Sequence, residues 1–561
     1  MLKRIFFAAV SALAVVTSVV ASEQPKWGKK VAKSVFTLKT FDSDGRLKAS
    51  SNGFFVSNDG VAVGNFTPFR GASKAVIIDA DGKEWPVACV MGANDMYDLA
   101  KFRVNIKKSI ALPMTSVAPS VHEKLWLLPY AAKKSPICTE ATLSKAEKVQ
   151  GDNTYYTLSL TAPLSAGACP LLNANGELVA MLQQPVSEQD TVNYAVDANF
   201  AVSLKLTGLS INDAVLKSTN VKKDLPEELN QAVLTLYVAP SVLDSVEYEG
   251  LLNDFVAKFP QASDGYVAKA QWNLRNDRYA DADAEMAQAL KVAEKKDEAH
   301  FSYAKLIFQK EVYKADKSYA PWTLDKAVAE ADAAYTENPL PVYHELKAQI
   351  LFTQKRYDEA SALYDELAKT SLRSAALFLD AARCKEMLRD TTAMIALLDS
   401  AVKTFNRPYL KAAAPYLLAR AQALMGSGKY RAAMLDLNDY EKLMPTEVNA
   451  RFYYVREQCE RAGHLYQQAL DDIKKAIDKA PQEADYYAEK ASLEVRVGFF
   501  DDAIGTAQEC IKLDAASSDG YLLLGLAQCM KGNKTDGVEN LRKAKQMGNE
   551  QAGGFLETYG K

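Results

Sequence analysis

Residues 463–481 of the 561-residue chain read GHLYQQALDDIKKAIDKAP, and related segments read GKYRAAMLDLNDYEKLMP at 428–445 and GFFDDAIGTAQECIKLDA at 498–515. Each has a glycine turn, an aromatic residue, a small residue three positions later and then a helical pattern. A fourth segment aligns with them at 532–545, and the small residues Ala433, Ala469, Ala503 and Gly537 are spaced by 36, 34 and 34 positions. Small residues let two helices approach closely, and this period is typical of stacked helix pairs. The stretch therefore predicts an all-α solenoid.

The repeat extends towards the N-terminus through copies anchored at Ala282, Ala327, Ala360 and Ala393. We therefore predict a helical domain over residues 225–561 with about eight repeats. Its period and pattern resemble the tetratricopeptide repeat over about residues 263–550. Intervals of 45 residues after Ala282 and 40 after Ala393 exceed one repeat, so extended helices or inserted turns are expected there. The resemblance implies protein or peptide partners, held along the concave surface of a superhelix.

Residues 30–205 have a strand-type hydrophobic pattern, unlike the helical pattern of residues 225–561. Short β-type runs such as GFFV at 53–56 and TYYTL at 154–158 are separated by turn sequences such as NDG at 58–60. Regular short strands without intervening helices favour a barrel or a sandwich. Residues 206–224 are polar and precede Pro226, which suits the first turn of a helix, so this segment is predicted to be a linker.

Three segments of the β-rich half, GFFVSNDG at 53–60, DMYDLA at 95–100 and CPLLNANGELV at 169–179, resemble motifs of the trypsin-like, HtrA-type serine proteases. They occur in the family's order and at its spacing, and the resemblance covers about residues 31–205. It implies two six-stranded β-barrels.

The resemblance also locates the positions of the catalytic triad. The family needs a histidine base, an orienting aspartate and a serine nucleophile, in that chain order. The matching positions hold Thr67, Asp98 and Gly167. Threonine accepts no proton near neutral pH and glycine carries no nucleophile, so the resemblance implies a pseudo-protease with no catalytic residues. Asp98 is then expected to be a turn or capping carboxylate.

Cys169 is the one substitute nucleophile that the sequence offers. The GAC sequence at 167–169 has the Gly-x-Cys form of the viral chymotrypsin-like cysteine proteases, but a thiol still needs a base. His122 does not supply it, because it follows Asp98 in the chain. Two structural roles for Cys169 stay open, a disulfide with Cys138 and a small buried core residue.

Composition excludes several classes of function. The chain has 67 Lys+Arg against 70 Asp+Glu, a net charge of −3, which lacks the basic excess expected of a nucleic-acid binder. Its four histidines are scattered, and neither HExxH nor CxxC occurs. Neither a metal nor a cofactor is therefore predicted.

Residues 1–21, MLKRIFFAAVSALAVVTSVVA, have the basic start, apolar run and small terminal residues of a signal peptide. The apolar run is shorter than the roughly 20 residues that span a bilayer, and no later stretch is long and apolar enough to do so. A mature N-terminus at Ser22 and a periplasmic or secreted location are predicted.

These features together predict an exported, non-catalytic scaffold of the bacterial cell envelope that binds proteins. Two alternatives stay open. One is an atypical protease, which would use Cys169 or a site completed by a partner. The other is a periplasmic, chaperone-like binder. The sequence does not indicate the oligomeric state.

Overall fold

The computed structural model describes residues 24–560. The predicted signal peptide and the predicted N-terminus at Ser22 lie outside the described residues. The chain divides into two compact units, the first ending at Ala293 and the second beginning at Glu294. The first contains the β-strands and the earliest long helices, and the second is helical.

The first unit begins with a short helix, α1 (Gly28–Val31), followed by six strands that form a closed antiparallel barrel. These strands are β1 (Val35–Phe41), β2 (Leu47–Phe55), β3 (Val61–Gly64), β4 (Lys74–Ile78), β5 (Glu84–Asn94) and β6 (Leu99–Val104). Their order around the barrel is β1-β2-β3-β6-β5-β4, and β4 pairs back onto β1. Phe36, Phe55 and Phe102 fill the interior. The predicted turn at 58–60 is present, with Gly60 at φ +94°, a conformation that favours glycine.

Six further strands close a second barrel in the order β10-β11-β12-β9-β8-β7. They are β7 (Lys124–Leu127), β8 (Thr139–Lys148), β9 (Thr154–Ser159), β10 (Pro170–Leu172), β11 (Leu178–Leu182) and β12 (Val192–Asp197). The helix α2 (Ala198–Ser203) follows. A shared core, which includes Val35 and Phe54 from the first barrel and Met181 and Val196 from the second, packs the two barrels together. The prediction of two six-stranded barrels is confirmed.

Residues 206–224, predicted to be a linker, pack against the first barrel. They contain the short helix α3 (Ala214–Lys217), and Leu206, Leu216 and Val221 are buried in the first barrel's core. The backbone of Val90 on β5 donates to Lys222 O at 2.8 Å and accepts from Asp224 N at 2.9 Å. The apolar side chains of this segment are interspersed with polar ones and are buried in the core of the first barrel. The segment is therefore part of the barrel domain.

Nineteen further α-helices follow within the described residues. Those of the first unit are α4 (Leu229–Val238), α5 (Ser245–Lys258), α6 (Ser263–Arg275) and α7 (Tyr279–Val292). Those of the second unit are α8 (Lys296–Tyr313), α9 (Leu324–Glu337), α10 (Pro341–Thr353), α11 (Tyr357–Leu367), α12 (Ala375–Met387), α13 (Thr391–Lys403), α14 (Ala414–Gly426), α15 (Tyr430–Leu443), α16 (Ala450–Ala462), α17 (Tyr466–Lys479), α18 (Ala484–Val497), α19 (Phe500–Leu513), α20 (Ser518–Lys531), α21 (Lys534–Gln546) and α22 (Gln551–Tyr559). Consecutive helices within each unit pack together as the repeat predicts.

Seven of the eight predicted small anchors are buried, and each is the fourth residue of its helix. They are Ala282, Ala327, Ala360, Ala433, Ala469, Ala503 and Gly537. Ala393 is different, because it is half-buried and third in α13. The Asp390 side chain caps α13 through Ala393 N at 3.0 Å, so the helix begins at Thr391 and the fourth position falls on Met394. The register predicted for this copy was therefore wrong by one residue.

The two long intervals contain the expected insertions. Helix α8 extends over 18 residues, and a ten-residue connection, 314–323, follows it. Residues 404–413 separate α13 from α14 and include a short 3₁₀ turn. No helix within residues 24–560 has the length and apolar character needed to cross a membrane.

Candidate functional site

Thr67, which the resemblance assigns to the histidine position, lies in a short 3₁₀ turn after β3. Thr67 begins this turn and its side chain is exposed. Its backbone N–H donates to Asp98 Oδ1 at 2.6 Å, and the neighbouring Asn65 side chain donates from Nδ2 to Asp98 Oδ2 at 2.8 Å. Both carboxylate oxygens of Asp98 therefore accept hydrogen bonds from the segment that would carry a catalytic base. Asp98 Oδ1 thus caps the first N–H of this turn.

Buried polar contacts hold this arrangement in place. Asn65 is 3% exposed, and its Oδ1 accepts a hydrogen bond from Ser51 Oγ on β2 at 3.2 Å. The Phe66 N–H donates to Asp98 O at 3.2 Å. Asn65 thus connects β2 to Asp98 through two side-chain hydrogen bonds.

Gly167, which the resemblance assigns to the nucleophile position, lies in the loop before β10. Residues 164–166 form a 3₁₀ turn, and Gly167 follows it. The buried Asn52 side chain on β2 donates from Nδ2 to Ser165 O at 2.6 Å and to Gly167 O at 3.1 Å. Two carbonyl oxygens of this loop are therefore directed at an amide of the first barrel. An oxyanion hole needs N–H groups directed at the developing negative charge, so carbonyls in this orientation do not contribute to one.

Gln184, which follows β11, occupies the space where a nucleophilic side chain would begin. Its Nε2 donates to Leu164 O at 2.7 Å. A Cβ atom added to Gly167 would collide with Gln184 Oε1. A serine at Gly167 therefore requires the exposed Gln184 side chain to move away from the loop.

The Gly-x-Cys alternative places its nucleophile in the wrong environment. The Cys169 side chain is 1% exposed and lies in the core of the second barrel. Burial raises the pKa of this thiol to about 12, so the thiolate is scarce near neutral pH. The Cys169 N–H already donates to Ala166 O at 3.1 Å. Cys169 is thus a buried core residue of the second barrel. His122 lies in an exposed turn at φ +71°.

The disulfide considered for Cys138 and Cys169 is absent. Both thiols are free, and they lie in separate clusters, Cys138 in the core between the barrels and Cys169 inside the second barrel. Burial raises the pKa of Cys138 to about 11. The structural alternative, two small buried residues, is the arrangement observed.

Sequence reasoning missed Asn52, Asn65 and Gln184, the residues that contact Asp98 and the loop around Gly167. Asn52 lies on β2, and Asn65 directly follows β3. Both are single buried polar residues, and no local sequence pattern distinguishes them. Gln184 follows the apolar strand β11, and only the folded chain places it against Gly167, 17 residues earlier. Within residues 24–560 no three His, Cys, Asp or Glu side chains form a group that could hold a metal ion.

The family-model comparison concerns the barrel domain. Residues 51–181 match the family model described as a trypsin-like peptidase domain. Among solved structures, the chain is similar to the inactive form of the Rv3671c protease, at 15% identity over 31% of this chain and 88% of that chain, with a TM-score of 0.26. A serine endoprotease from Yersinia pestis is 13% identical over 33% of this chain and 64% of that chain, with a TM-score of 0.27.

Two matched relatives share only short segments with the chain. The human DnaJ homolog subfamily C member 7 is 30% identical over 87 residues, 16% of this chain and 18% of that protein. The SGT1 homolog of Bos taurus is 26% identical over 86 residues, 15% of this chain and 25% of that protein. The chain therefore spans a quarter or less of the length of these two relatives.

Proposed function

We propose that the chain is an exported, non-catalytic scaffold of the bacterial cell envelope, in which helical repeats hold partner proteins and an inactive trypsin-like domain accompanies them. One observation carries the non-catalytic part. Both carboxylate oxygens of Asp98 bind the Thr67 N–H and the Asn65 amide. The group that would orient a catalytic base is instead built into a closed turn.

The nucleophile position and the oxyanion hole also support a non-catalytic domain. The nucleophile position is Gly167, with Gln184 against it, and the carbonyls of its loop are bound by Asn52. Removing the nucleophile or the base from a serine protease leaves only the residual rate that comes from binding and the oxyanion hole. In this chain the carbonyl groups of the loop face Asn52, so the loop also lacks the N–H arrangement that an oxyanion hole needs.

The binding part rests on the helical repeats. Stacked helix pairs present a long continuous surface, and their common use is to hold peptides or partner proteins. The segments shared with the DnaJ homolog and the SGT1 homolog add support for protein-binding repeats. Export rests on the pattern of residues 1–21, and the intact mass of the native protein tests it, since a chain beginning at Ser22 is expected.

Affinity capture followed by reconstitution tests the binding function. The mature chain is immobilised, proteins retained from an envelope extract are identified, and each is purified and titrated against the chain by calorimetry. The scaffold proposal expects a saturable complex from which the partner is recovered intact. Recovery of a shortened partner would favour the atypical protease.

The chaperone-like alternative predicts a different result. It predicts that the chain suppresses the aggregation of many unrelated unfolded proteins at near-stoichiometric amounts, as followed by light scattering. A scaffold for one partner leaves such aggregation unchanged.

A further inference from the structure

The helical unit contains a small cavity formed by four helices, α8, α10, α11 and α12. Its volume is about 270 Å³, and its lining includes Phe308, Phe352, Gln349, Tyr364, Asp380 and Arg383. Pockets for cofactors and drug-sized ligands usually measure about 300–1,000 Å³. The cavity therefore suits a group the size of one side chain.

One wall of the cavity is aromatic. Phe308 on α8 and Phe352 on α10 are both half-buried and both line it. The face of an aromatic ring carries partial negative charge, so it attracts a cation within about 6 Å of its centre. The same rings pack well against the aliphatic stem of a long side chain.

Tyr364 adds a phenol side chain to the cavity wall. Its side chain lies on α11, is 2% exposed and lines the cavity. Burial, together with Asp380, raises the pKa of Tyr364, so the hydroxyl stays protonated near neutral pH. A protonated hydroxyl can both donate and accept a hydrogen bond. The Tyr364 side chain therefore offers a polar ligand group one hydrogen-bonding partner on the cavity wall.

The charges around the cavity are unequal. Asp380 lines it, and Glu345 on α10 is close enough that Asp380, after burial, raises the pKa of Glu345. Burial likewise raises the pKa of Asp380. One cation, Arg383, offsets them through a 3.0 Å contact with Asp380 Oδ1. Two carboxyl groups against one guanidinium leave an unbalanced negative charge once both are ionised, and an incoming cation would favour that ionised state.

We propose that this cavity binds a lysine or arginine side chain from an extended segment of a partner protein. The stem of that side chain packs between Phe308 and Phe352, and its charged head donates to the Asp380 carboxylate and the Tyr364 hydroxyl. This inference rests on the proposed binding function and specifies the chemistry of the partner.

Peptides that differ at one central residue test the proposal. The mature full-length chain is mixed with acetyl-Ser-Gly-Ala-X-Ala-Gly-Ser-amide, where X is arginine, lysine, citrulline or glutamate, and saturation-transfer NMR reports binding of each peptide. Arginine and lysine should bind at least about tenfold more tightly than citrulline, which has the shape of arginine without its charge. Glutamate should not bind. Equal binding of citrulline, preference for glutamate through Arg383, or no binding of any peptide would overturn the assignment.

Variants locate the binding in the cavity. Asp380→Asn should weaken the arginine peptide about tenfold, and Tyr364→Phe, which keeps the buried ring, should weaken it severalfold. The matched control is Asp358→Asn, an exposed carboxylate on α11 outside the cavity lining, which should bind as the unmodified chain does. Unchanged binding in both cavity variants would refute the proposal. If Asp380→Asn fails to fold, as judged by circular dichroism, the Tyr364→Phe result decides.

A captured partner separates failure of this proposal from failure of the proposed function. A partner that binds Asp380→Asn and the unmodified chain equally well refutes the cavity assignment and leaves the scaffold function standing. If no partner binds any form of the chain, both fail.

Discussion

Replacing Glu457 with glutamine should reduce the fall in the helical unit's free energy of unfolding as pH rises into the alkaline range. Glu457 lies on α16, is fully buried, and neither of its oxygens has a hydrogen-bond partner among the described residues. The groups that act on it are Glu489 on α18, Glu460 and Arg461, whose Nε lies 3.4 Å from Glu457 Oε1. Burial, reinforced by the charge of Glu489, raises the pKa of Glu457 to about 8.

The sign and size of the effect follow from proton linkage. Between about pH 4.5, where Glu457 titrates in the unfolded chain, and about pH 8, the native state binds more protons than the unfolded state. The free energy of unfolding therefore falls as pH rises through this window. Each pKa unit corresponds to about 1.4 kcal/mol, so ionising Glu457 costs the native state on the order of 3–5 kcal/mol. Burial also raises the pKa of Glu460 to about 8, so the variant keeps part of the slope.

Thermal unfolding of the full chain, followed by far-UV circular dichroism from pH 5 to pH 9, measures this effect. Glu457→Gln should match the unmodified chain to within about 1 kcal/mol at pH 5 and exceed it by on the order of 3 kcal/mol at pH 9. The control is Glu509→Gln, which removes an exposed carboxylate paired with Lys512 at 3.0 Å and should change little at any pH. A slope in Glu457→Gln equal to that of the unmodified chain would refute the assignment of the buried acid.

Three further predictions follow from the fold and the candidate site. Ala469→Leu places a larger side chain at a fully buried helix contact. It should lower the free energy of unfolding, measured by chemical denaturation, by roughly 1–3 kcal/mol. An unchanged free energy would contradict the repeat register. Thiol titration without reductant should count seven thiols after denaturation, including Cys138 and Cys169, and a count of five would indicate a disulfide. The double variant Thr67→His, Gly167→Ser should not cleave a peptide substrate, because Asp98 already accepts hydrogen bonds from its turn and Gln184 occupies the space of the serine side chain. Robust cleavage would show that these contacts rearrange at little cost.

The repeat period and the barrel motifs were sufficient to predict the fold because both depend on local regularities. A small residue every 34 to 36 positions from Ala433 to Gly537, and glycine turns between short strands, are visible in one chain without any contact information. The anchor at Ala393 was misplaced because the Asp390 cap, not the small residue, determines where α13 begins. Residues 206–224 resembled a linker because their polar residues outnumber the three apolar ones that are buried.

The sequence predicted the candidate site less completely than the fold. Motif order alone assigned Thr67, Asp98 and Gly167 to the triad positions and predicted a turn or capping role for Asp98. The roles of Asn52, Asn65 and Gln184 depend on contacts between segments far apart in the chain, such as Asn52 with Ser165. The same holds for the cavity in the helical unit, where Tyr364 and Asp380 come together only when α11 and α12 pack.

Direct measurement of hydrolysis tests the central claim, that the barrel has no protease activity. The mature full-length chain is incubated with unfolded casein and, in parallel, with a fluorophosphonate probe for serine nucleophiles and an iodoacetamide probe for thiols, with trypsin as the positive control for cleavage. The structure predicts no cleavage above the buffer blank, no fluorophosphonate label, and no labelling of Cys169 in the native state. Cleavage that the unmodified chain performs and Cys169→Ala abolishes would contradict this account and establish a cysteine protease.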